Sequence, residues 1–511
     1  MSWSKGGTDG QSLSIAVKSC VDKFGLQNKV LCYTSDGGGN LKTCKDNLDK
    51  VVTNGAIFNP SLPIFEQDCL AHALSGACKK AIINVKVDTL SIEKTRVKLQ
   101  KCITWTKKCQ KGCNSWRESQ EMCHLPPQKI LTPVKTRFAY LIHAFRRLID
   151  NQAAINYLYG QKPGMRAELR ERLPTKEDWE GAKCLVNTMK SVVGSITANQ
   201  SNGSKWLLSD AIVDLIHVYM QCSGTDGIPA VERRLHKVLE EESYSSKSQE
   251  LVKSLKELSM KIRDAVAVHL KPFLEPLTGL PRQEKYHMIF SLFLDPRFVN
   301  LKPLLDLHCR EYSYEPDYKI VYSKPYIKTM KDKLLDYIAA AENAANPITE
   351  PSCDKNVLLV EMNELYGDAP VSNSNGSNLD LIKAAATEEL KMFHNLCFGL
   401  DITEGVDVLT WYESVKYKVP KIYRMALYIF SIPPTEIQNE RDFSLAGVFG
   451  QARRASLSVQ MLSDLLFINQ NSDTCSILKN IDLFQGNLNC VDDSLFDEVE
   501  QFLESNNEME D

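Results

Sequence analysis

The sequence predicts an α+β chain in which helix strongly predominates, and three observations carry that expectation. A short β-branched and aromatic run ends in an acidic glycine turn near the N-terminus, over Lys29–Asn40. From Ala139 to Leu400 apolar residues recur almost throughout at spacings of three and four, the period of a buried helix face. Val419–Asn471 then carries one compact apolar helix and a second with a broad leucine stripe.

Composition bounds the function. The chain has 511 residues, with 43% hydrophobic and 24% charged side chains, enough for about three domains with real cores. Its 61 Lys+Arg against 64 Asp+Glu give a net charge of -3, which excludes a uniformly basic nucleic-acid coat but leaves room for local patches. No apolar run approaches the length of a membrane span, and Met1–Gly10 lacks the apolar core of a signal peptide. The 16 cysteines follow no framework spacing and are expected as reduced thiols.

The first helix is predicted from Leu13, Val17, Cys20, Val21 and Phe24, with Gly25 as its stop and Asp9 at its N-terminus. The strand Lys29–Thr34 runs into Ser35–Asn40. Asp36 there either aims a carboxylate into a site or caps the helix beginning near Leu41. The three glycines lack a following Gly-Lys-Ser/Thr and so form no phosphate loop. Cys69 and His72, at i and i+3, share the face of a helix that runs to Ile83. Structural zinc takes four ligands, and the later cysteines offer no Cys-x2-Cys pair, so no zinc is expected and a buried Cys/His packing pair is favoured.

Val85–Phe138 is the basic stretch, with twelve Lys/Arg against four Asp/Glu and Trp105 and Trp116 interleaved. Lys107, Lys108 and Lys111 lead the candidates for phosphate contact, with the tryptophans available for base stacking. The same lysines would equally keep an exposed helix in solution. Helices are predicted over Leu141–Tyr159, Trp179–Ile196, Leu207–Tyr219, Val231–Leu239, Leu251–Leu274 and Tyr326–Ala344. A turn is predicted at Ser291–Phe298, and a linker at Gly367–Asn378. The tail Asp492–Asp511 holds nine acidic and no basic residues.

Near the C-terminus Pro420–Phe430 reads as an apolar helix. Beyond it Leu457, Met461, Leu465 and Ile468 make one stripe, widened by Leu462 and Leu466. Glu440–Leu457, "ERDFSLAGVFGQARRASL", followed by "LLFINQN" at 465–471, resembles the C-terminal dimerisation region of the hAT transposase superfamily. Further pieces stand in that family's order: "TSDGGGN" at 34–40, "CLAHAL" at 69–74, "TRF" at 136–138, "LFLDPRF" at 292–298 and "TWYES" at 410–414. The resemblance covers Ser35–Asn471, most of the chain.

The resemblance implies a partial RNase H-like core interrupted by a large all-helical insertion. Residues 1–138 would form the first part of that core. Residues 139–400 would form the insertion, 401–475 the rest of the core with the dimerisation region, and 476–511 the acidic tail. It also implies a site in which Asp36 matches the second Asp and Glu440 the Glu of an Asp-Asp-Glu triad holding Mg²⁺ or Mn²⁺. Cys69 and His72 would flank the site, and Arg137 and Phe138 would handle a flipped base. The first triad Asp has no counterpart, because only 12 residues precede the first helical apolar position, Leu13. The expectation is therefore an N-terminally truncated transposase-derived protein: a homodimer or higher oligomer, nuclear by family, binding DNA weakly and with little sequence preference, and not transposing. Two other readings stay open. One is an active metal-dependent transposase or nuclease on a longer chain, the other a protein-interaction scaffold without DNA binding.

Overall fold

A computed structural model describes residues 9–26, 30–36, 38–52, 64–83, 85–87, 90–98, 110–131, 140–161, 173–201, 207–224, 226–241, 243–279, 281–313, 319–345, 378–398, 407–436 and 461. The chain divides into two compact units, residues 1–436 and 437–511. Of the second, Met461 is the described part; it is helical.

Helix α1 (Gly10–Lys23) begins as its sequence suggests. Asp9 accepts from the Ser12 N–H at 2.8 Å, satisfying one of the orphan donors of the first turn. It ends in a Schellman closure, with Leu26 N–H donating to Val21 O at 2.9 Å and Gly25 N–H to Asp22 O at 3.2 Å. Gly25 sits at φ +62°, the left-handed region where a side chain is strained. At its other end α1 lies very close to α2 (Gly39–Val52). A Cβ built on Gly10 would fall 2.4 Å from Asn40 O, so only glycine allows the two backbones this approach.

Strand β1 (Cys32–Ser35) pairs in parallel with β2 (Phe65–Asp68), in the register Cys32↔Phe65, Tyr33↔Glu66, Thr34↔Gln67 and Ser35↔Asp68. A parallel pair needs a crossover, and α2 lies in the connection. Cys69 N–H donates to Ser35 O at 2.7 Å, carrying the ladder one residue beyond β2 and into α3 (Leu70–Ile83). A two-stranded antiparallel ribbon, β3 (Lys86–Val87) with β4 (Leu90–Ser91), follows. After it come a helix over 92–98, here α4, and α5 (Gln110–Met122).

The rest of the described unit is helical: α6 (Tyr140–Asp150), α7 (Gln152–Asn156), α8 (Lys176–Thr188), α9 (Lys190–Ser201), α10 (Leu208–Ser223), α11 (Pro229–Glu241), α12 (Ser246–Thr278), α13 (Tyr286–Leu294), α14 (Lys302–Tyr312), α15 (Lys319–Ala345), α16 (Asn378–Phe398), α17 (Val408–Val415) and α18 (Pro420–Phe430). The long α12 is the spine. Leu251, Leu255, Leu258, Ile262, Val266, Leu270, Leu274 and Leu277 are buried along it at spacings of three and four. Its face packs on α3, α8, α10 and α11. Helix α3 is buried at Leu70, Ala71, Ala73, Leu74, Ala77, Ala81 and Ile82, which ties the strand pair to the helical mass.

Two predicted helices are interrupted. Leu141–Tyr159 breaks at Asn151, whose side chain is spent on Gln120 and the Arg147 carbonyl, and the chain continues as α7 with a π turn over Tyr157–Gln161. Trp179–Ile196 breaks at Met189. The expected turn at Ser291–Phe298 is half helix: all nine residues of α13 are buried, through Leu294, and the chain turns only at Asp295. The predicted linker lies outside the described residues except for Asn378, the first residue of α16.

Candidate functional site

The site lies at the C-terminal ends of β1 and β2, where 433–436 returns from a distant part of the chain. Thr34 Oγ1 donates to Pro433 O at 3.1 Å, and Leu70 N–H donates to Pro434 O at 3.0 Å. These two bonds hold the extended segment after α18 across the strand ends and deliver Glu436 to the first turn of α3.

Cys69, His72 and Glu436 meet there. Cys69 Sγ is 3.2 Å from His72 Nδ1, and the same nitrogen is 3.2 Å from Glu436 Oε1. Glu436 also donates its backbone N–H to Cys69 Sγ at 3.4 Å. The His72 imidazole is pushed up to about 10, first by its hydrogen bond to the Cys69 sulfur and then by that to Glu436, with burial opposing both. Tyr33 stands alongside. Burial raises its hydroxyl above the usual tyrosine range, and the charges of Cys44, Glu436 and Asp36 add to the shift.

Asp36 follows β1 directly, as expected, but does not cap α2 itself. Its Oδ1 accepts from Gly38 N–H at 2.8 Å, closing a local turn, and the carboxylate is exposed. Glu440, its expected partner 404 residues on in the sequence, lies outside the described residues. Mg²⁺ and Mn²⁺ take several hard oxygen ligands. Among the described residues, the group of three or more His, Cys, Asp and Glu close enough to share an ion is Cys69, His72 and Glu436, with one sulfur, one nitrogen and one carboxylate and without Asp36. That donor set does not fit a hard dication.

The basic stretch is partly committed to the fold. Arg96 pairs with Glu93 at 2.6 Å, and Lys98 pairs with Asp178 at the start of α8. Lys111, Arg117 and Lys129 are exposed, while Lys107, Lys108, Arg137 and Phe138 lie outside the described residues. Trp116 corrects the stacking expectation. It is 7% exposed and donates Nε1–H to Gln128 O at 2.9 Å, so it anchors α5 and presents no face to a base. Met461 is helical and 53% exposed, whereas Leu457, Leu462, Leu465, Leu466 and Ile468 lie outside the described residues.

Two segments that contribute to the family resemblance, 292–298 and 410–414, are built into the helical core. Asp295 is fully buried as the cap of a single 3-10 turn, Pro296–Phe298. It accepts from Ser209 Oγ at 2.6 Å, and from Arg297 Nε at 3.0 Å and Nη2 at 2.7 Å, while Arg297 also pairs with Asp210 at 2.8 Å. Tyr412 is buried and donates its hydroxyl to Leu294 O at 2.5 Å. Both connect α13 to its neighbours.

Residues 388–472 match the hAT family C-terminal dimerisation region. The chain therefore carries a hAT-type C-terminal dimerisation region, which takes in the second half of α16, all of α17 and α18, and Glu440. No curated protein matches the chain. No helix among the described residues is long and apolar enough to cross a membrane.

Proposed function

We propose that the protein is a transposase-derived homodimer that contacts nucleic acid through its basic stretch and does not itself transpose DNA. The observation that carries this reading is the match of residues 388–472 to a dimerisation region. A partial RNase H-like core is supported by the parallel β1–β2 pair, with an acidic residue just past the end of β1. Exposed Lys111, Arg117 and Lys129, with Lys107 and Lys108 adjoining in sequence, support a sequence-tolerant phosphate contact. The expectation that the protein does not transpose rests on the family resemblance, in which Asp36 and Glu440 match two of the three triad carboxylates. The nucleus remains the expected compartment on the family resemblance, and Mg²⁺ or Mn²⁺ the ion an active form would use.

The test measures DNA binding by the full chain across a salt series, with and without Mn²⁺. Weak binding with a steep salt slope is expected, and the Lys107→Glu, Lys108→Glu, Lys111→Glu triple variant should lose about 0.9 in slope for each phosphate contact removed. Tight binding to one sequence at physiological salt, or a slope untouched by the triple variant, overturns the nucleic-acid reading. Mn²⁺-dependent cleavage that vanishes in Glu440→Gln overturns the inactive one.

A further inference from the structure

We infer that Cys69, His72 and Glu436 bind one Zn²⁺, or an equally soft divalent ion, and that this ion clasps the start of α3 to the chain at 436. The three ligand atoms lie within 4.8 Å of one another. A tetrahedral zinc with bonds of about 2.3 Å to sulfur and 2.0–2.1 Å to nitrogen and oxygen sets its ligand atoms roughly 3.3–3.6 Å apart. The two separations of 3.2 Å are already close to that figure.

The directions of the contacts decide between a metal and a nucleophile. In a thiol–imidazole–carboxylate relay, the carboxylate takes the ring nitrogen opposite the one that faces the thiol. Here Cys69 Sγ and Glu436 Oε1 both address Nδ1. One Nδ1 proton serves two acceptors poorly, whereas a cation placed between the three atoms satisfies all of them. That ion would take neutral imidazole through Nδ1, thiolate and carboxylate, and leave a fourth position for water.

A second observation points the same way. The Glu436 backbone N–H donates to Cys69 Sγ at 3.4 Å, an outer contact that stabilises a thiolate ligand, and Cys69 sits at the positive end of α3. Cys69 is buried, while the His72 and Glu436 side chains are 29% and 18% exposed, so an ion has a path from solvent. A sulfur, nitrogen and oxygen set favours zinc over magnesium or calcium. Asp36 takes no part, so the site does not depend on the transposase reading and is read without DNA.

The experiment uses the full-length chain, stripped with a chelator and titrated with Zn²⁺ against a chromophoric competitor, and in parallel with Co²⁺. One equivalent per chain is expected, with tetrahedral Co²⁺ bands and a thiolate-to-metal charge-transfer band. Cys69→Ser should abolish the charge-transfer band. His72→Gln and Glu436→Gln should each weaken Zn²⁺ by at least about tenfold, no less than the loss of an outer-shell partner causes. Circular dichroism identifies the variants that fold, and Glu436→Gln is the mildest of the three. No binding by wild type overturns the assignment. So does a charge-transfer band that survives Cys69→Ser, which would place the ion on others of the 16 cysteines, or wild-type affinity in folded Glu436→Gln.

Discussion

Single residues carry more of this fold than their motifs announce. Asp295 answers Ser209 and both edges of Arg297 from a fully buried position, so Asp295→Ala leaves a hydroxyl and part of a guanidinium without their acceptor. A loss of roughly 3 kcal/mol is expected, moderated because Arg297 keeps Asp210, and a urea midpoint measures it. Asp295→Asn, which keeps an acceptor, should cost less; equal losses would mean that packing alone is at stake. His287 gives a pH signature. Burial holds its imidazole down to about 3, and its Nε2 lies 2.8 Å from Gln67 Oε1 in the core. His394 is likewise held down, to about 4. A folded value below the unfolded one means that the unfolded chain binds more protons between about 3 and 6.5. The contribution of these two histidines is therefore fully present above pH 6.5 and falls as pH drops through that window, by about 1.4 kcal/mol per pH unit for each proton. His287→Asn should flatten the fall. An unchanged slope in the variant would assign the effect to other groups.

Elements show where sequence suffices and where it does not. Helix α1, with Asp9 at its head and Gly25 at its tail, and α18, with Pro420 at its first position, follow from local signals because capping and proline geometry are local physics. The breaks at Asn151 and Met189 do not, since apolar periodicity runs straight through both. Nor could the cap of α18 be read: Glu389 of α16 accepts from the Lys421 N–H at 2.7 Å and the Ile422 N–H at 3.3 Å, and pairs with Lys421 Nζ at 2.8 Å. Only the packing of α16 on α18 brings it there. Glu389→Ala should destabilise by about 1–2 kcal/mol in urea unfolding, the range for a lost cap. Glu388→Ala, one residue earlier and facing solvent with Lys391, should cost almost nothing. The candidate site divides in the same way. Cys69 and His72 are neighbours on one helix and were legible, whereas Glu436 was not, because nothing local in the sequence marks a ligand that arrives from 364 residues away.

At the scale of the whole molecule, the match over 388–472 predicts self-association through the leucine-rich stripe. Sedimentation of the full chain at micromolar concentration should show a dimer, and Leu462→Glu with Leu466→Glu should convert it to a folded monomer. A wild-type monomer, or variants that simply unfold, would make the stripe internal core instead. The bonds from Thr34 to Pro433 and from Leu70 to Pro434 also impose an order on biosynthesis. Thr34 leaves the ribosome 399 residues before the carbonyl it must meet, a wait of roughly 20–80 s at 5–20 residues per second. Through that interval the ends of β1 and β2 stand without the strap that crosses them, and α3 begins on an open turn. The segment around β1 is thus made long before it is finished, and a nascent chain stalled before residue 433 would present its strand ends to whatever chaperone or neighbouring chain reaches them first.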